Sequence, residues 1–383
     1  MEFGIACNRF FNINEINDLL VLEVNKYKNS NIQSYIREKN FNILNELNIC
    51  NLIFKFLSNN KVNKKYKSYI NLKKISKINI DSFNVDSFNV YSFNVSNMYY
   101  LVNIDNNYII LDDLIFNNNH PYFEKMVEQK IFKNDVGFSC SLRIYNLFHY
   151  YYSLKTYNTL FKFLGNCKLI FGYLNNSNFI FKNNYYCIND LDNMLDLNFN
   201  NYNNIDDVIN TIKKYFDCFD NILREKLIPF QFFILYYIEI NNIDVLSYCN
   251  SFELAEYYCK NYCWFLNYFS NDYKTQFKEQ LTIILKKLVN IEKTNIFYII
   301  LSNISNNCIN FNYCVLSIYY LELLFKIFRF VDDFDIGNDG SDNNDVIIFK
   351  KLIVLLMDNL HPDLNFVCIN DFEEKITKIM DFI

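Results

Sequence analysis

Residues 206–223 read DDVINTIKKYFDCFDNIL, and this stretch decides the fold class. Val208, Ile209, Ile212, Phe216, Phe219, Ile222 and Leu223 return at steps of three and four, which is the period of one helix face. Asp206 and Asp207 open the segment, where carboxylates favour the positive end of the helix dipole. Downstream, the same period predicts helices near 229–240, 251–269, 272–291, 294–304, 312–330, 346–359 and 370–382. Short connections between them imply an antiparallel bundle or a solenoid-like stack, although no repeat of 30 to 45 residues is evident. Residues 201–383 therefore read as an α-helical domain. It is interrupted by the solvated acidic loop 332–345, DDFDIGNDGSDNND.

Upstream the pattern is mixed. Ile13–Tyr27 reads as a helix. A second helix, capped by Ser30-Asn31, would carry Ile32, Ile36, Ile43, Leu44 and Leu47 inward, with Asn40 as a point where it could split. A basic loop spans 59–80. Tyr99–Leu111 and Lys168–Phe181 each hold two β-prone runs around a polar turn, which predicts hairpins near 98–111 and 168–182. Pro121–Phe132 and Leu142–Phe163 between them have helical period. The expected architecture is mainly α with a minor β component: an α+β domain over 1–200, then the helical half.

Within 81–96 the word Ser-Phe-Asn-Val occurs three times at a spacing of five, as SFNVDSFNVYSFNV. Five-residue steps put successive copies on alternating faces of a strand and turn by roughly 140° on a helix, so neither regular structure forms a stripe. A pentapeptide solenoid would need many more copies. A short duplication tolerated in a loop accounts for it.

Composition explains part of this texture. Asn, Ile, Lys, Tyr and Phe dominate, whereas Ala occurs only at Ala6 and Ala255 and Arg at five positions. These preferences follow AT-rich codons, and the profile resembles proteins of large DNA viruses such as insect poxviruses. Asn runs therefore carry little functional meaning by themselves. Half of the 383 residues are apolar and 21% charged, enough for a large core. A net charge of −5 gives no global pull toward nucleic acid. The first residues lack a basic region followed by an apolar core, and Leu227–Ile240 and Val315–Val331 read as buried helices rather than membrane spans. The expectation is an intracellular, cytoplasmic protein (host cytoplasm or virion if viral) with reduced cysteines.

Chemistry-bearing groups are sparse. Cys259 and Cys263 lie four apart on one helix face without a second pair at zinc spacing, so core packing is the expected role and no metal is implied. The acidic loop lacks the final bidentate carboxylate of an EF-hand. His120, His149 and His361 have no local nucleophile partner, and no Gly-rich phosphate loop occurs. No catalytic residue, cofactor or small-molecule ligand is implied. An enzyme would need dispersed residues converging on a deep polar pocket. The strongest local signal is basic: Lys61, Lys64, Lys65, Lys67, Lys73, Lys74 and Lys77 interleave with Tyr66 and Tyr69, residue types that neutralise phosphates and stack on bases.

Residues 98–155 resemble the strand–helix segment of BTB/POZ domains. The apolar strand YIILDDLIF leads to Pro-Tyr-Phe-Glu-Lys-Met, in which Tyr122, Phe123 and Met126 match the family's Tyr-Phe-x-x-Met signature, and Ile144–Tyr152 is similar to the helix that follows. Leu111-Asp112 replaces the family's His-Lys, and Val127 its Phe. The resemblance implies dimerisation or recruitment of a cullin-type ubiquitin ligase through Tyr122, Phe123 and Met126. The leading expectation is thus a non-catalytic protein–protein interaction or adaptor protein, self-associating or binding another protein, with no membrane. The alternatives are a nucleic-acid-associated factor using Lys61–Lys77, and an enzyme with dispersed site residues.

Overall fold

The computed structural model describes residues 32–38, 40–59, 66–72, 74–78, 99–105, 108–116, 138–327, 344–364 and 369–380. The expected helices over 13–27 and 121–132, the copies at 82–95 and most of the acidic loop lie outside the described residues. In chain order the first elements are β1 (Ile32–Glu38), α1 (Phe41–Asn59), β2 (Lys74–Ile78), β3 (Tyr99–Asp105), β4 (Ile109–Ile110) and α2 (Leu111–Phe116). Next come α3 (Phe138–Asn166), β5 (Leu169–Phe171), β6 (Phe179–Lys182), β7 (Tyr185–Ile188) and β8 (Met194–Asp196). Helices follow: α4 (Ile205–Leu223), α5 (Phe230–Ile240), α6 (Tyr248–Asn261), α7 (Asn271–Lys286), α8 (Lys293–Asn306), α9 (Cys308–Ile327), α10 (Asn344–Asp358) and α11 (Ile369–Met380). Among the described residues the protein is mainly helical with a minor sheet component; the N-terminal half has strands and the C-terminal half is helical.

The chain forms two compact units, residues 1–114 with 175–194 and residues 115–174 with 195–383. The boundary read at 200/201 falls inside the second unit.

In the first unit, Ile32 to Glu38 form a strand rather than the start of a helix. Asn40 then begins α1, its Oδ1 accepting the Ile43 N–H at 2.9 Å. The isoleucines at 32 and 36 satisfy strand alternation as well as a helical turn, and long-range pairing decides between them. β3 is the centre of an antiparallel sheet of order β1-β3-β2, with Val102 between Tyr35 and Ile75. Both edges of β3 are therefore occupied, so the expected hairpin over 98–111 does not close. β4 instead joins a second sheet of order β4-β6-β7.

The expected hairpin over 168–182 is also replaced. Asn175–Asn178 is a 3-10 turn with a reciprocal cap that separates β5 from β6. β6 pairs instead with β7 across Asn183-Asn184, with Lys182 opposite Tyr185. Both loop residues have positive φ, 50° and 65°, the turn geometry that suits strand twist and that Asn tolerates well. Asn178 Nδ2 donates to the Asn189 and Asp190 carbonyls, and Lys182 Nζ to Asn71 Oδ1 at 2.9 Å, tying this hairpin down.

The second unit is built around α9, long and apolar enough to cross a membrane, of which 83% is buried inside the protein. It lies along α3. Tyr150 and Tyr320 meet edge to face at 5.0 Å, and Tyr320 donates to Ser153 Oγ at 2.6 Å. Gly165 permits the close approach, because a Cβ there would stand 2.8 Å from the Ile309 backbone. Buried Asn312 completes the contact with β5: Nδ2 donates to the Leu169 carbonyl at 2.9 Å and Oδ1 accepts the Phe171 N–H at 3.3 Å. β5 pairs with β8.

The stripe that opened the sequence behaves as read. Val208, Ile209, Ile212, Phe216, Phe219 and Leu223 are buried, Ile222 half-buried, and Asn204 caps α4 by accepting the Asp207 N–H. Tyr215 joins this face, and its ring packs on Phe219 at 4.7 Å and Phe232 at 5.8 Å. Gly172 sits beneath this cluster, where a Cβ would lie 2.3 Å from the Tyr215 hydroxyl.

Candidate functional site

α10 and α11 form the last helical pair of the second unit. α11 spaces Phe372, Ile376 and Ile379 at helical steps and buries them, so Glu374, Lys375 and Lys378 point outward. α10 buries Ile348, Phe349, Leu352, Ile353, Leu355 and Leu356, yet Val354 remains 52% exposed. Between the outward faces lies a groove of about 490 Å³. Its floor is Val354, Leu355 and Ile379, and its rim carries Lys350, Lys351, Lys375 and Lys378 with Asp358. On the rim, Lys375 pairs with Asp358 at 3.5 Å and Lys378 with Glu374 at 2.6 Å.

A smaller cleft of about 310 Å³ continues from it, sharing Leu355, Asp358 and Lys375, and is walled by Tyr273, Gln276 and Gln280 of α7 and by His361. Its titratable groups are engaged structurally. The Asp363 N–H donates to His361 Nδ1 at 3.1 Å. Burial, reinforced by the charges of Asp358 and Cys263, pushes the Tyr273 hydroxyl up to about 12. At neutral pH that hydroxyl stays protonated. Among the described residues, no group of three His, Cys, Asp or Glu is placed to hold a metal ion.

Of the residues singled out in the sequence, His361 lines this cleft, and Tyr66, Lys67, Tyr69, Lys74 and Lys77 belong to the first unit. Lys61, Lys64, Lys65 and Lys73 lie outside the described residues, as do Tyr122, Phe123 and Met126. Tyr66, Lys67 and Tyr69 lie in one short turn beside β7, with Tyr69 half-buried edge-on to Tyr185 at 6.0 Å. The next residue, Ile70, bridges to Ile188. Tyr69 thus spends its ring on packing within the first unit. Lys74 and Lys77 lie on β2. The α10–α11 groove escaped notice because its lysines belong to a chain where Lys is abundant throughout. The usable signal was weaker: an apolar Val354 on the outward, lysine-bearing stripe of α10.

Comparison of the chain with protein-family models, with curated proteins and with solved structures finds no match.

Proposed function

We propose that this protein is a non-catalytic binding protein whose α10–α11 groove receives the apolar face of an acidic amphipathic helix from a protein partner. The observation that carries this reading is an exposed Val354 on an aliphatic floor edged by four lysines. Leu or Ile side chains at i, i+4 and i+7 of a guest helix would cover Val354, Leu355 and Ile379, and flanking carboxylates would meet the rim. Apolar contact supplies most of the affinity, and the charges set partner choice and association rate. The smaller cleft would lie at one end of the seated helix, where Gln276, Gln280 and the Tyr273 hydroxyl offer hydrogen bonds to its terminal backbone.

The test is a titration of the whole protein with fluorescent helical peptides sharing one Leu face and flanked by Glu, by Lys or by Gln. Micromolar binding of the Glu peptide is expected, lost progressively with salt and weakened about tenfold by Val354→Asp. Equal binding of the Lys peptide, or indifference to Val354→Asp, would remove the proposal.

A further inference from the structure

Phe252, Glu256, Cys259 and Cys263 recur at steps of four, three and four along and just beyond α6, forming one stripe toward α7. Lys278 of α7 meets it: its Nζ pairs with Glu256 at 3.6 Å and lies 4.6 Å from the centre of the Phe252 ring. At the end of α6 the Tyr258 carbonyl accepts two hydrogen bonds, from the Tyr262 N–H at 3.0 Å and the Cys263 N–H at 3.3 Å. This continues the helical course for one residue past its regular end and keeps Cys263 one turn beyond Cys259. Four residues at about 1.5 Å rise each put the two Cα atoms roughly 6 Å apart, within the span a disulfide bridges. The two sulfurs lie near enough along this stripe to influence one another's ionisation. Cys259 is half-buried and Cys263 is 2% exposed, so the outer sulfur can be reached and the inner one is shielded.

We propose that Cys259 and Cys263 are a peroxide-responsive thiol pair that closes to a reversible disulfide.

The electrostatics run the same way. The neighbouring Cys263 thiol and the nearby Lys278 charge outweigh burial and Glu256 to move the Cys259 thiol below its ordinary value. The other shifted cysteines, Cys167, Cys187, Cys263, Cys308 and Cys314, are all pushed up, with burial the leading cause. In the first step the Cys259 thiolate attacks a hydroperoxide. An S–O bond forms, the O–O bond breaks, and the alcohol (water, from hydrogen peroxide) leaves with a solvent proton, giving a sulfenic acid. In the second step the Cys263 sulfur attacks that sulfenic sulfur. The S–S bond forms, and hydroxide leaves and takes up the Cys263 proton as water. Two thiols are oxidised and one peroxide is reduced; a small thiol restores the pair.

Lys260 separates the two cysteines, so trypsin leaves them on different peptides that stay joined only through the disulfide. The whole protein is treated with limiting hydrogen peroxide, free thiols are alkylated, and the digest is read by mass. The expected product is a linked 259–263 peptide pair, reversed by dithiothreitol and formed at least about tenfold faster than oxidation of exposed Cys218 or Cys249. In Cys263→Ser a dimedone adduct should collect at Cys259. Lys278→Met, which leaves both sulfurs in place, should slow the reaction several-fold. Oxidation of Cys218 or Cys249 ahead of Cys259, or a sulfinic product at Cys259 without the linked pair in the wild-type protein, would overturn the proposal.

Discussion

The aromatic cluster of α4–α6 and the groove of α10–α11 belong to the same helical unit but use the same amino-acid vocabulary in opposite ways. In the first, rings meet rings. Phe216 packs on Phe232 and Tyr236 at 5.2 and 5.5 Å, and Phe233 lies 4.8 Å from Tyr258. Their polar tips are absorbed internally: Tyr236 donates to Asp220 Oδ1 at 2.7 Å and Tyr258 to the Ile228 carbonyl at 2.6 Å. The second region has an aliphatic floor, one residue of which is more than half exposed, and a rim of lysines. The ring cluster packs against further core residues, with Phe219 meeting Tyr173 at 5.5 Å and Phe232 meeting Phe311 at 5.9 Å. In the groove, Leu355 and Ile379 are buried with the helices' own packing, and Val354 alone among the floor residues stays exposed. The contrast sets a region closed by its own rings beside one that, on the function proposed above, would meet a partner.

The largest effect should come from the ring cluster. Phe232→Ala empties a site with no exposure and should cost about 4 kcal/mol, measured as the shift in urea midpoint at constant slope. Asn312→Leu should follow at about 3 kcal/mol, because the Phe171 N–H and the Leu169 carbonyl lose buried partners. If it proved neutral, the long-range asparagine bonds would be incidental to stability. Gly172→Ala should lose about 2 kcal/mol as the added methyl meets the Tyr215 hydroxyl and Phe232. On the groove side, Val354→Asp should move stability by under about 0.5 kcal/mol while abolishing most peptide binding. A large loss of stability there would erase the distinction between the two regions.

The smallest expected effect is one of pH. Partial burial would raise the Asp220 carboxyl, but its bonds with Arg224 at 2.8 Å and with Tyr236 prevail and hold it below its ordinary value. A depressed folded value contributes stability that is present above the unfolded value, about 3.9, and is lost as pH falls through the folded value. Asp220→Asn should therefore flatten the acid limb of stability below about pH 4 and leave the α10–α11 peptide affinity unchanged.

Local chemistry made much of the helical half legible. The stripe from Val208 to Leu223, the helices near 229–240, 272–291 and 294–304, and the buried character of Val315–Ile327 all follow from period and composition. They needed only that apolar side chains leave water. Strand partners were not legible in the same way. Tyr99–Asp105 looks identical as half of a hairpin or as the centre of a sheet, and only the arrival of Ile32–Glu38 and Lys74–Ile78 on its two edges settles which. The Asn183-Asn184 turn was readable in principle, since paired asparagines tolerate positive φ, but it was hidden among many codon-driven asparagines.

By itself, then, the sequence determined which segments coil and which sides of them avoid water, because both depend on neighbours within a turn or two. Tertiary structure alone decided which apolar residue stays uncovered, as Val354 does, and which strands pair. Those outcomes depend on what packs from elsewhere in the chain, and a linear pattern does not record it.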